Sequence, residues 1–239
     1  FQYPFTISGG RTKTHQPALI VSLQLGPFIG YGEAPAITYY NISVEQMAAD
    51  LESRKKMVEK FALTEPERYW HYLHHLFPQN PFLVCALDMA CWDLFGKMKQ
   101  QPLYRLWNSR WQNTPITDYT IGIDSIENMV AKMKATPWPI YKIKVGTDND
   151  IETIEALRKH TDAIFRVDAN AGWSTETAIR KIPLLKELGV EMIEQPLAKD
   201  DWGGMKILYE KSPLPLFADE SCVFEQDVEK CHQHFHGIN

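Results

Sequence analysis

Hydrophobic and polar positions follow two different patterns along this chain, and the change from one to the other falls near residue 115. In the first part, short apolar runs separated by turn residues precede longer stretches with apolar residues at helical spacing. We predict an antiparallel meander over residues 1 to about 33. The polar, glycine-containing segment 8–15 is predicted to be a mobile loop. The predicted strands of the meander are residues 2–6, 18–25 and 28–33.

Two helices are predicted after the meander. Ser43 and Gln46 have the spacing of a capping box, and the residues that follow place an apolar stripe on one helix face. Asn80 and Pro81 begin the second helix, with proline at the first position, where a helix tolerates it. Strands followed by helices predict an α+β domain, which we assign to residues 1–114.

From residue 115 onward, short apolar runs alternate with helical stretches, which is the pattern of a parallel βα barrel. Each unit is predicted to consist of one strand and the helix that follows it. The predicted strands are residues 118–123 and 141–145, two runs that end at Asp168 and Glu194, and a run that starts at Leu216.

The end of the chain extends this pattern. Pro183 lies inside the helix predicted after Ser174, where proline should kink the helix or split off its first turns. A fifth helix is predicted at 226–234, and the approach to a sixth strand at 237–239. Five βα units cannot close a barrel, and an open parallel sheet would leave an unpaired edge. We therefore expect residues 115–239 to form a truncated barrel, and the chain to be part of a longer protein.

Carboxylates recur at the ends of the predicted barrel strands. Steps of 24, 26 and 25 residues lead from Lys144 to Asp168, Glu194 and Asp219, and each carboxylate ends a short apolar run. Because the C-terminal ends of parallel barrel strands meet at one mouth, these three side chains should converge. Three anionic oxygen ligands suit Mg²⁺, with water and substrate oxygens completing its shell. A single acid of this kind would ordinarily be a solvated loop residue, but three at this spacing favour a metal site.

Lys142 and Lys144 precede these acids on one strand, and strand alternation points both side chains to the same face. Two amines close to each other and to a divalent cation disfavour the charged form, so the pKa of at least one should fall. We predict that Lys144, nearer the strand end, removes a proton next to a substrate carboxylate. Lys142 would tune this base and help to neutralise the carboxylate. The neighbours expected to support the acids are Asn170, Gln195, Glu220 and Ser221.

Composition and charge argue against several other classes of protein. The chain is 44% hydrophobic and 23% charged, with a net charge of −5 and no block of like charges, so neither nucleic acid nor membrane is an expected partner. Cys85 and Cys91 lie in an apolar helical pattern, which favours reduced thiols and a cytoplasmic location. No P-loop, dinucleotide-binding or nucleophile-elbow motif is present.

Two histidine groups are weaker candidates for metal binding. His71 and His75 have the i, i+4 spacing of a metal-binding pair, but no glutamate lies between them to act as a base. A second group follows on a predicted helix that leads away from the mouth, and we expect both groups to lie on the surface. This second group is Cys231, His232, His234 and His236.

Four motifs in fixed order resemble those of the enolase superfamily. They are Lys-Ile-Lys (142–144), Val-Asp-Ala-Asn (167–170), Ile-Glu-Gln-Pro (193–196) and Ala-Asp-Glu-Ser (218–221). Segments 30–34 and 86–96 are similar to the superfamily's capping domain, so the likeness covers nearly the whole chain. Within the superfamily, the chain resembles the muconate lactonizing subgroup and, more narrowly, dipeptide epimerases of the Ala-Glu type. The segments that narrow it are 117–120, 141–146 and 195–201.

This resemblance implies an α/β protein in which a capping domain precedes a (β/α)7β TIM-like barrel, with Mg²⁺ at the three acids and Lys144 as the base. It implies an isomerase that inverts the α-carbon of the C-terminal residue of an Ala-Xaa dipeptide, by lysine 1,1-proton transfer through an enediolate. The second lysine would lie on strand six, about five residues beyond Asn239. Substrate contacts are implied for Arg11, Thr117 and Lys142.

Other functions would use the same residues. A muconate-type cycloisomerase or an o-succinylbenzoate synthase, which is a lyase, would need the same lysines and metal, and a non-catalytic barrel would keep only the fold. The resemblance leaves open whether the dipeptide is acidic or hydrophobic, because the covering loop that carries Arg11 accepts both kinds in the family. We expect a homo-oligomer that binds a small-molecule dipeptide.

Overall fold

The structure is a computed structural model that describes residues 1–239, and it divides into two compact units. One unit is His15–Pro115, and the other is Phe1–Thr14 together with Ile116–Asn239. The sequence assigned residues 1–14 to the first domain. Their strands instead cluster with the second unit, in which the N–H of Ile123 donates to the Thr6 carbonyl at 2.8 Å. None of the helices combines the length and the apolar character that crossing a bilayer would require.

Four strands are followed by four α-helices, and from β5 onward strands and helices alternate. The strands are β1 (Phe5–Ile7), β2 (Arg11–Lys13), β3 (Ala18–Leu25), β4 (Phe28–Pro35), β5 (Tyr119–Ile121), β6 (Ile140–Lys144), β7 (Ile164–Asp168), β8 (Val190–Glu194), β9 (Leu216–Ala218) and β10 (Gly237–Ile238). The helices are α1 (Val44–Lys60), α2 (Pro66–Leu76), α3 (Pro81–Met98), α4 (Leu103–Leu106), α5 (Ile126–Ala135), α6 (Asp150–Arg158), α7 (Thr175–Glu187), α8 (Trp202–Lys211) and α9 (Val228–Cys231).

In the unit His15–Pro115, the antiparallel hairpin β3–β4 packs closely on α3. Two glycines on β4 make this approach possible because they have no Cβ. A Cβ at Gly32 would lie 1.9 Å from the Ala86 carbonyl oxygen, and one at Gly30 would lie 2.1 Å from the Ala90 carbonyl oxygen. The α3 face turned to the core is fully buried at Leu83, Val84, Leu87, Ala90 and Cys91.

The helix starts in this unit are those that the sequence predicts. The Ser43 hydroxyl accepts the N–H of Gln46 at the start of α1. The Asn80 side chain accepts the N–H of Leu83 at the start of α3, and Pro81 occupies the first helical position. The α+β class predicted for the first part of the chain is confirmed.

In the other unit, six parallel strands form one sheet in the order β10-β9-β8-β7-β6-β5, and the chain passes through helices between successive strands. The predicted truncated barrel is confirmed in this arrangement. Neighbouring strand ends are joined by main-chain bonds that we call step bonds. They run from Val145 N to Asp168 O (2.9 Å), from Ala169 N to Glu194 O (3.1 Å) and from Gln195 N to Phe217 O (2.9 Å).

The start of the chain differs from the predicted meander. β1 pairs with β2 and β3 pairs with β4, in separate two-stranded sheets. Residues 11–13, predicted to lie in a mobile loop, form β2, and the hydroxyls of Thr6 and Thr12 lie 2.9 Å apart across the hairpin. Strand pairing uses main-chain groups, so the exposed polar sequence of β2 gives no apolar pattern by which it could be predicted.

Two helices also differ from prediction. α7 continues through Pro183, and the carbonyl that loses its partner belongs to Ile179, a residue 42% exposed, where water is able to replace the missing donor. The last helix is reduced to the four residues of α9. It is short because the chain returns to the sheet at once, where the N–H of His236 donates to the Leu216 carbonyl at 2.8 Å.

Candidate metal and catalytic site

Three carboxylates converge at the C-terminal ends of β7, β8 and β9. Asp168 and Glu194 are the last residues of their strands, and Asp219 follows the last residue of β9. Asp168 is the register partner of Glu194, which places their side chains on the same face of the sheet. One oxygen of each carboxylate lies within 4.8 Å of the others, and we call this group the acidic trio.

Two lysines on β6 face the acidic trio. The Nζ of Lys144 lies 2.6 Å from the Oδ2 of Asp168. The Nζ of Lys142 lies 3.0 Å from the same oxygen and 2.7 Å from the Oε2 of Glu194. Asp168 is fully buried and Glu194 nearly so, and each is paired with at least one amine, as buried charges require. The structure thus brings together all five residues to which the sequence assigned metal binding or proton transfer.

The charges in this group shift one another's pKa values. Burial, followed by the charge of Asp168, raises the pKa of Glu194 to about 7. Burial would also raise the pKa of Asp168, but the charges of Lys144 and Lys142 outweigh it and lower that pKa. Burial, followed by the charge of Asp168, raises the pKa of Asp219. The three carboxylates of the trio therefore carry more negative charge than the two amines can neutralise.

The sequence predicts a lowered pKa for at least one of the two lysines, and Lys142 is not that lysine. Burial alone would lower its pKa, but the charges and hydrogen bonds of Asp168 and Glu194 outweigh burial and raise it. The reason is geometric: this amine lies between two carboxylates rather than beside another cation. Lys142 is therefore a charged partner of the trio.

The donor set fits a hard divalent cation. All three ligands are carboxylate oxygens, which Mg²⁺ prefers, and the trio holds an excess of negative charge that a cation would offset. Two further polar atoms beside the trio, Asn170 Oδ1 and Glu220 Oε2, are buried without a hydrogen-bond partner. Their orphaned acceptors are of the kind that a metal-bound water satisfies.

Neighbouring polar residues hold the ligand loops in place. The N–H of Asn170 donates to Asp168 Oδ1 at 2.8 Å, and its Nδ2 donates to Glu220 Oε1 at 3.3 Å. Gln195 is fully buried, and its Oε1 accepts the N–H groups of Asp219 (3.0 Å) and Ser221 (3.1 Å). These residues contact the trio or its loops, and their supporting role stays a prediction.

Two predicted substrate contacts have different placements. Arg11 is exposed on β2, directly after the turn Ser8–Gly10, and Ser8 is buried against the loops that follow β6 and β7. Thr117 lies two residues before β5, at the end of the sheet opposite the acidic trio, where its carbonyl accepts the Nε1–H of Trp138 at 2.6 Å. Its position keeps it away from the trio.

The sequence reasoning missed two residues near the site. Thr120 is the register partner of Lys142, so its side chain shares that face of the sheet, and strand alternation within β5 was the signal that could have found it. Asn239 donates from its Nδ2 to Glu194 Oε1 at 3.0 Å. No spacing pattern in the sequence indicates this second contact.

The histidine groups do not form comparable clusters. The Nδ1–H of His74 donates to the Trp70 carbonyl within α2 at 3.0 Å, and its ring packs against the Trp70 indole. Cys231 is buried and donates its S–H to the Ser221 carbonyl at 3.4 Å, whereas His232 is exposed. Only the acidic trio gathers three or more side chains of metal-binding type.

The fold and site define a parallel β/α barrel protein with three carboxylates and two lysines at the mouth of the barrel. Known proteins agree with this class. A family model for the enolase C-terminal domain-like family matches residues 124–234. An L-Ala-D/L-amino acid epimerase of Flavobacterium johnsoniae is 49% identical over 238 residues, covering 100% of this chain and 70% of that protein.

Solved structures give the same result. The substrate-liganded L-Ala-D/L-Glu epimerase of Bacillus subtilis matches with a TM-score of 0.90 and 29% identity, over 99% of this chain and 70% of that chain. A dipeptide epimerase of Cytophaga hutchinsonii complexed with Mg and D-Ala-L-Val matches with a TM-score of 0.86 and 27% identity, over 100% of this chain and 67% of that chain. The chain belongs to the enolase superfamily, within its family of dipeptide epimerases, which are isomerases. The resemblance found in the sequence is confirmed.

Proposed function

We propose that this protein is a Mg²⁺-dependent epimerase that inverts the α-carbon of the C-terminal residue of an Ala-Xaa dipeptide. The observation that carries the proposal is the Lys144 amine, which lies 2.6 Å from Asp168 and so directly beside three converging carboxylates. Relatives named as epimerases of L-Ala dipeptides support the reaction and the substrate class.

Lys144 is the proposed base. It is the last residue of β6, and its amine faces the mouth, where a substrate α-carbon would have access to it. Removal of the α-proton by the Lys144 amine would leave an enediolate, whose negative charge the site has to stabilise. Because 89% of the Lys144 side chain is shielded from solvent (11% exposed), competing water is largely kept from the amine.

Lys142 and the acidic trio would stabilise that charge. Lys142 keeps its proton beside Asp168 and Glu194, and it is placed to offset the negative charge of a substrate carboxylate. Asp168, Glu194 and Asp219 would hold Mg²⁺, which would supply further positive charge next to that carboxylate.

Inversion also needs a proton donor on the opposite face of the α-carbon. We propose a second lysine on the sixth strand, which begins with β10 beside β9. Protonation from that face would give the other epimer, and each lysine would act as base for one epimer and as acid for the other. From the 25-residue repeat we expect this residue about five positions after Asn239.

We also revise the substrate contacts that the resemblance implies. The contact assigned to Thr117 is moved to Thr120, because Thr120 shares the face of Lys142 while Thr117 lies at the opposite end of β5. Arg11 stays a proposed partner of an acidic substrate side chain, since its hairpin reaches the mouth through Ser8.

We propose a cytoplasmic homo-oligomer. All four cysteines are free, which supports a reducing compartment. Large apolar side chains are exposed on the helices of the first unit, including Trp70 (42%) and Met89 (46%), which supports burial against another copy. Light scattering of the purified protein tests the second statement, and a monomer would contradict it.

Deuterium wash-in tests the function. A set of L-Ala-L-Xaa dipeptides is incubated in heavy water with Mg²⁺ and the full-length protein, and the α-proton of the C-terminal residue is followed by NMR. We expect exchange together with appearance of the D-epimer, and loss of both by at least about a hundredfold in Lys144→Ala. Lys134→Ala, which removes an exposed lysine of α5, is the control and should behave as the wild type. Absence of exchange with every dipeptide would overturn the proposal.

A further inference from the structure

Asp150, the first residue of α6, is buried in a polar cluster next to the candidate site. It is 2% exposed, and its neighbours Trp173 and Lys181 are each 5% exposed. Five donors point at its two oxygens, from three separate stretches of the chain. They are Gly146 N (3.0 Å), Thr147 N (2.8 Å), Thr147 Oγ1 (2.9 Å), Trp173 Nε1 (2.8 Å) and Lys181 Nζ (2.8 Å). We call these residues the Asp150 cluster.

The cluster joins the loops that follow the functional strands. Gly146 and Thr147 come directly after β6, whose last residue is Lys144. Trp173 lies in the loop after β7, five residues beyond Asp168, and its N–H donates to the Pro196 carbonyl in the loop after β8 at 3.0 Å. One carboxylate therefore fixes the loop of the proposed base against the loops of two proposed ligands.

The backbone at Gly146 packs tightly against neighbouring loops. Gly146 has a φ of +112°, a conformation that only glycine adopts readily. A Cβ there would lie 2.8 Å from the Cβ of Ser8 and 3.0 Å from the Ala169 carbonyl oxygen. Loss of the Asp150 bonds would free the loop after β6 from its main anchor, and glycine at position 146 would permit the loop to move.

A buried acid–lysine pair with an ordinary structural role would only stabilise the fold. Two observations go beyond that role. A carboxylate is sufficient to neutralise the charge of Lys181. Asp150 does more, because it also accepts from two main-chain N–H groups within three residues of Lys144. The Trp173 indole N–H reaches the same carboxylate from the loop on the other side. These bonds fix the position of one loop relative to the other. Proton transfer requires such fixed positions of the reacting groups.

We propose that Asp150 is a positioning residue that sets where the Lys144 amine stands relative to Asp168 and the substrate α-carbon. The proposal rests on the proposed function, since it assigns Lys144 as the base. Asp150 itself would not contact substrate. Its loss should lower kcat much more than it raises KM or the Kd for Mg²⁺, because none of the proposed metal ligands lies on β6.

The test compares graded variants of the full-length protein. Asp150→Asn keeps the shape but removes the charge. Asp150→Asn with Lys181→Met also removes the amine whose charge would be left uncompensated, together with its bond to the Thr147 carbonyl. Trp173→Phe removes the indole donor and keeps an aromatic ring at this buried position, leaving Asp150 and Lys181 in place. Asp124→Asn is the matched control. Asp124 follows β5 and accepts from Ser125 (2.8 Å) and Lys132 (3.3 Å), and β5 carries neither the proposed base nor a metal ligand, although Thr120 on it is a proposed substrate contact.

We expect kcat per folded molecule to fall about 10- to 100-fold in Asp150→Asn, with KM and the Mg²⁺ Kd within about threefold of wild type. The double variant should regain thermal stability but not kcat, and Asp124→Asn should lose stability with kcat kept within about twofold. A folded Asp150→Asn or Trp173→Phe with wild-type kcat would overturn the proposal, as would recovery of kcat in the double variant.

A second measurement separates this proposal from the proposed function. Hydrogen exchange of the Gly146 and Thr147 amides needs no substrate. We expect it to accelerate at least about tenfold in Asp150→Asn, while exchange in residues 122–124 stays unchanged. If the wild type turned over no dipeptide, the function would fail while faster exchange would still support the anchoring role. Unchanged exchange at both amides would overturn that role.

Discussion

Lys144 and Asp168 are register partners on adjacent parallel strands, and the amine of one lies 2.6 Å from a carboxylate oxygen of the other. Asp168 is fully buried, and its negative charge is compensated by this amine and by the amine of Lys142, 3.0 Å away. Removing one partner of a buried pair leaves the other uncompensated, and the two losses do not add.

We therefore expect non-additive stabilities. Asp168→Asn should lower the free energy of unfolding by about 3–5 kcal/mol, and Lys144→Met by less because Lys142 remains. In a double-mutant cycle measured by urea unfolding, the coupling should be about 0.5–3 kcal/mol. The exposed pair Asp93 and Lys97, at 38% and 44% exposure, should give less than about 1 kcal/mol. Equal coupling in the two cycles would contradict the burial argument.

Metal affinity should depend on each acid of the trio. Glu194→Gln and Asp219→Asn each replace an anionic ligand by a neutral one, so the Kd for Mg²⁺ should rise by more than about tenfold. Titration calorimetry with the chelator-treated protein measures this directly. Glu210→Gln, which removes an exposed acid of α8, should leave the Kd unchanged. Unaltered Mg²⁺ binding in both trio variants would place the metal elsewhere.

Acid should weaken metal binding at a higher pH than for an ordinary carboxylate. Burial and Asp168 raise the pKa of Glu194 to about 7, so between its ordinary value near 4.5 and 7 the folded, metal-free protein holds a proton that the unfolded chain has lost. Stability of the metal-free form should fall as pH rises through this window, and Mg²⁺ affinity should rise and level off above it. Calorimetry at pH 6 in two buffers of different ionisation enthalpy should detect proton release. No release would contradict the shift.

Gly32→Ala should destabilise the unit His15–Pro115. A Cβ at this position would lie 1.9 Å from the Ala86 carbonyl oxygen, so β4 or α3 would have to move, at a cost of about 1–3 kcal/mol or more. Gly203→Ala is the matched control, since no atom lies within 4 Å of its Cβ position in α8, and it should gain up to about 1 kcal/mol. Equal thermal shifts in the two variants would refute the packing argument.

Arg11→Met should discriminate between substrate classes. If Arg11 pairs with an acidic side chain, KM for L-Ala-L-Glu should rise by about tenfold or more, which corresponds to a charged hydrogen bond, while KM for L-Ala-L-Leu should stay the same. Parallel kinetics on the two dipeptides measure the ratio. An unchanged ratio would remove Arg11 from substrate recognition.

The sequence predicts the acidic trio because a parallel barrel imposes one period on strand ends, and Asp168, Glu194 and Asp219 carry that period openly. Apolar residues at helical spacing likewise predict α1 and α3. The Asp150 cluster carries no such signal, since its donors are scattered from residue 146 to residue 181 and meet only after folding.

Two further features have no signal in the sequence, for similar reasons. The β1–β2 hairpin forms from exposed polar residues through main-chain pairing, to which hydrophobic periodicity does not respond. The direction of the pKa shift at Lys142 depends on which charges come closest, and strand alternation alone does not say that two carboxylates lie nearer than the other amine.

The step bonds between neighbouring strand ends have a consequence for how such a site evolves. They join main-chain atoms only, from Val145 to Asp168 and from Ala169 to Glu194, so substituting the acids does not remove them. The distances between successive strand ends would therefore stay the same when the side chains at those ends are substituted. New reactions could arise in this scaffold by replacing single residues at the rim, without any need to rebuild the frame that spaces them.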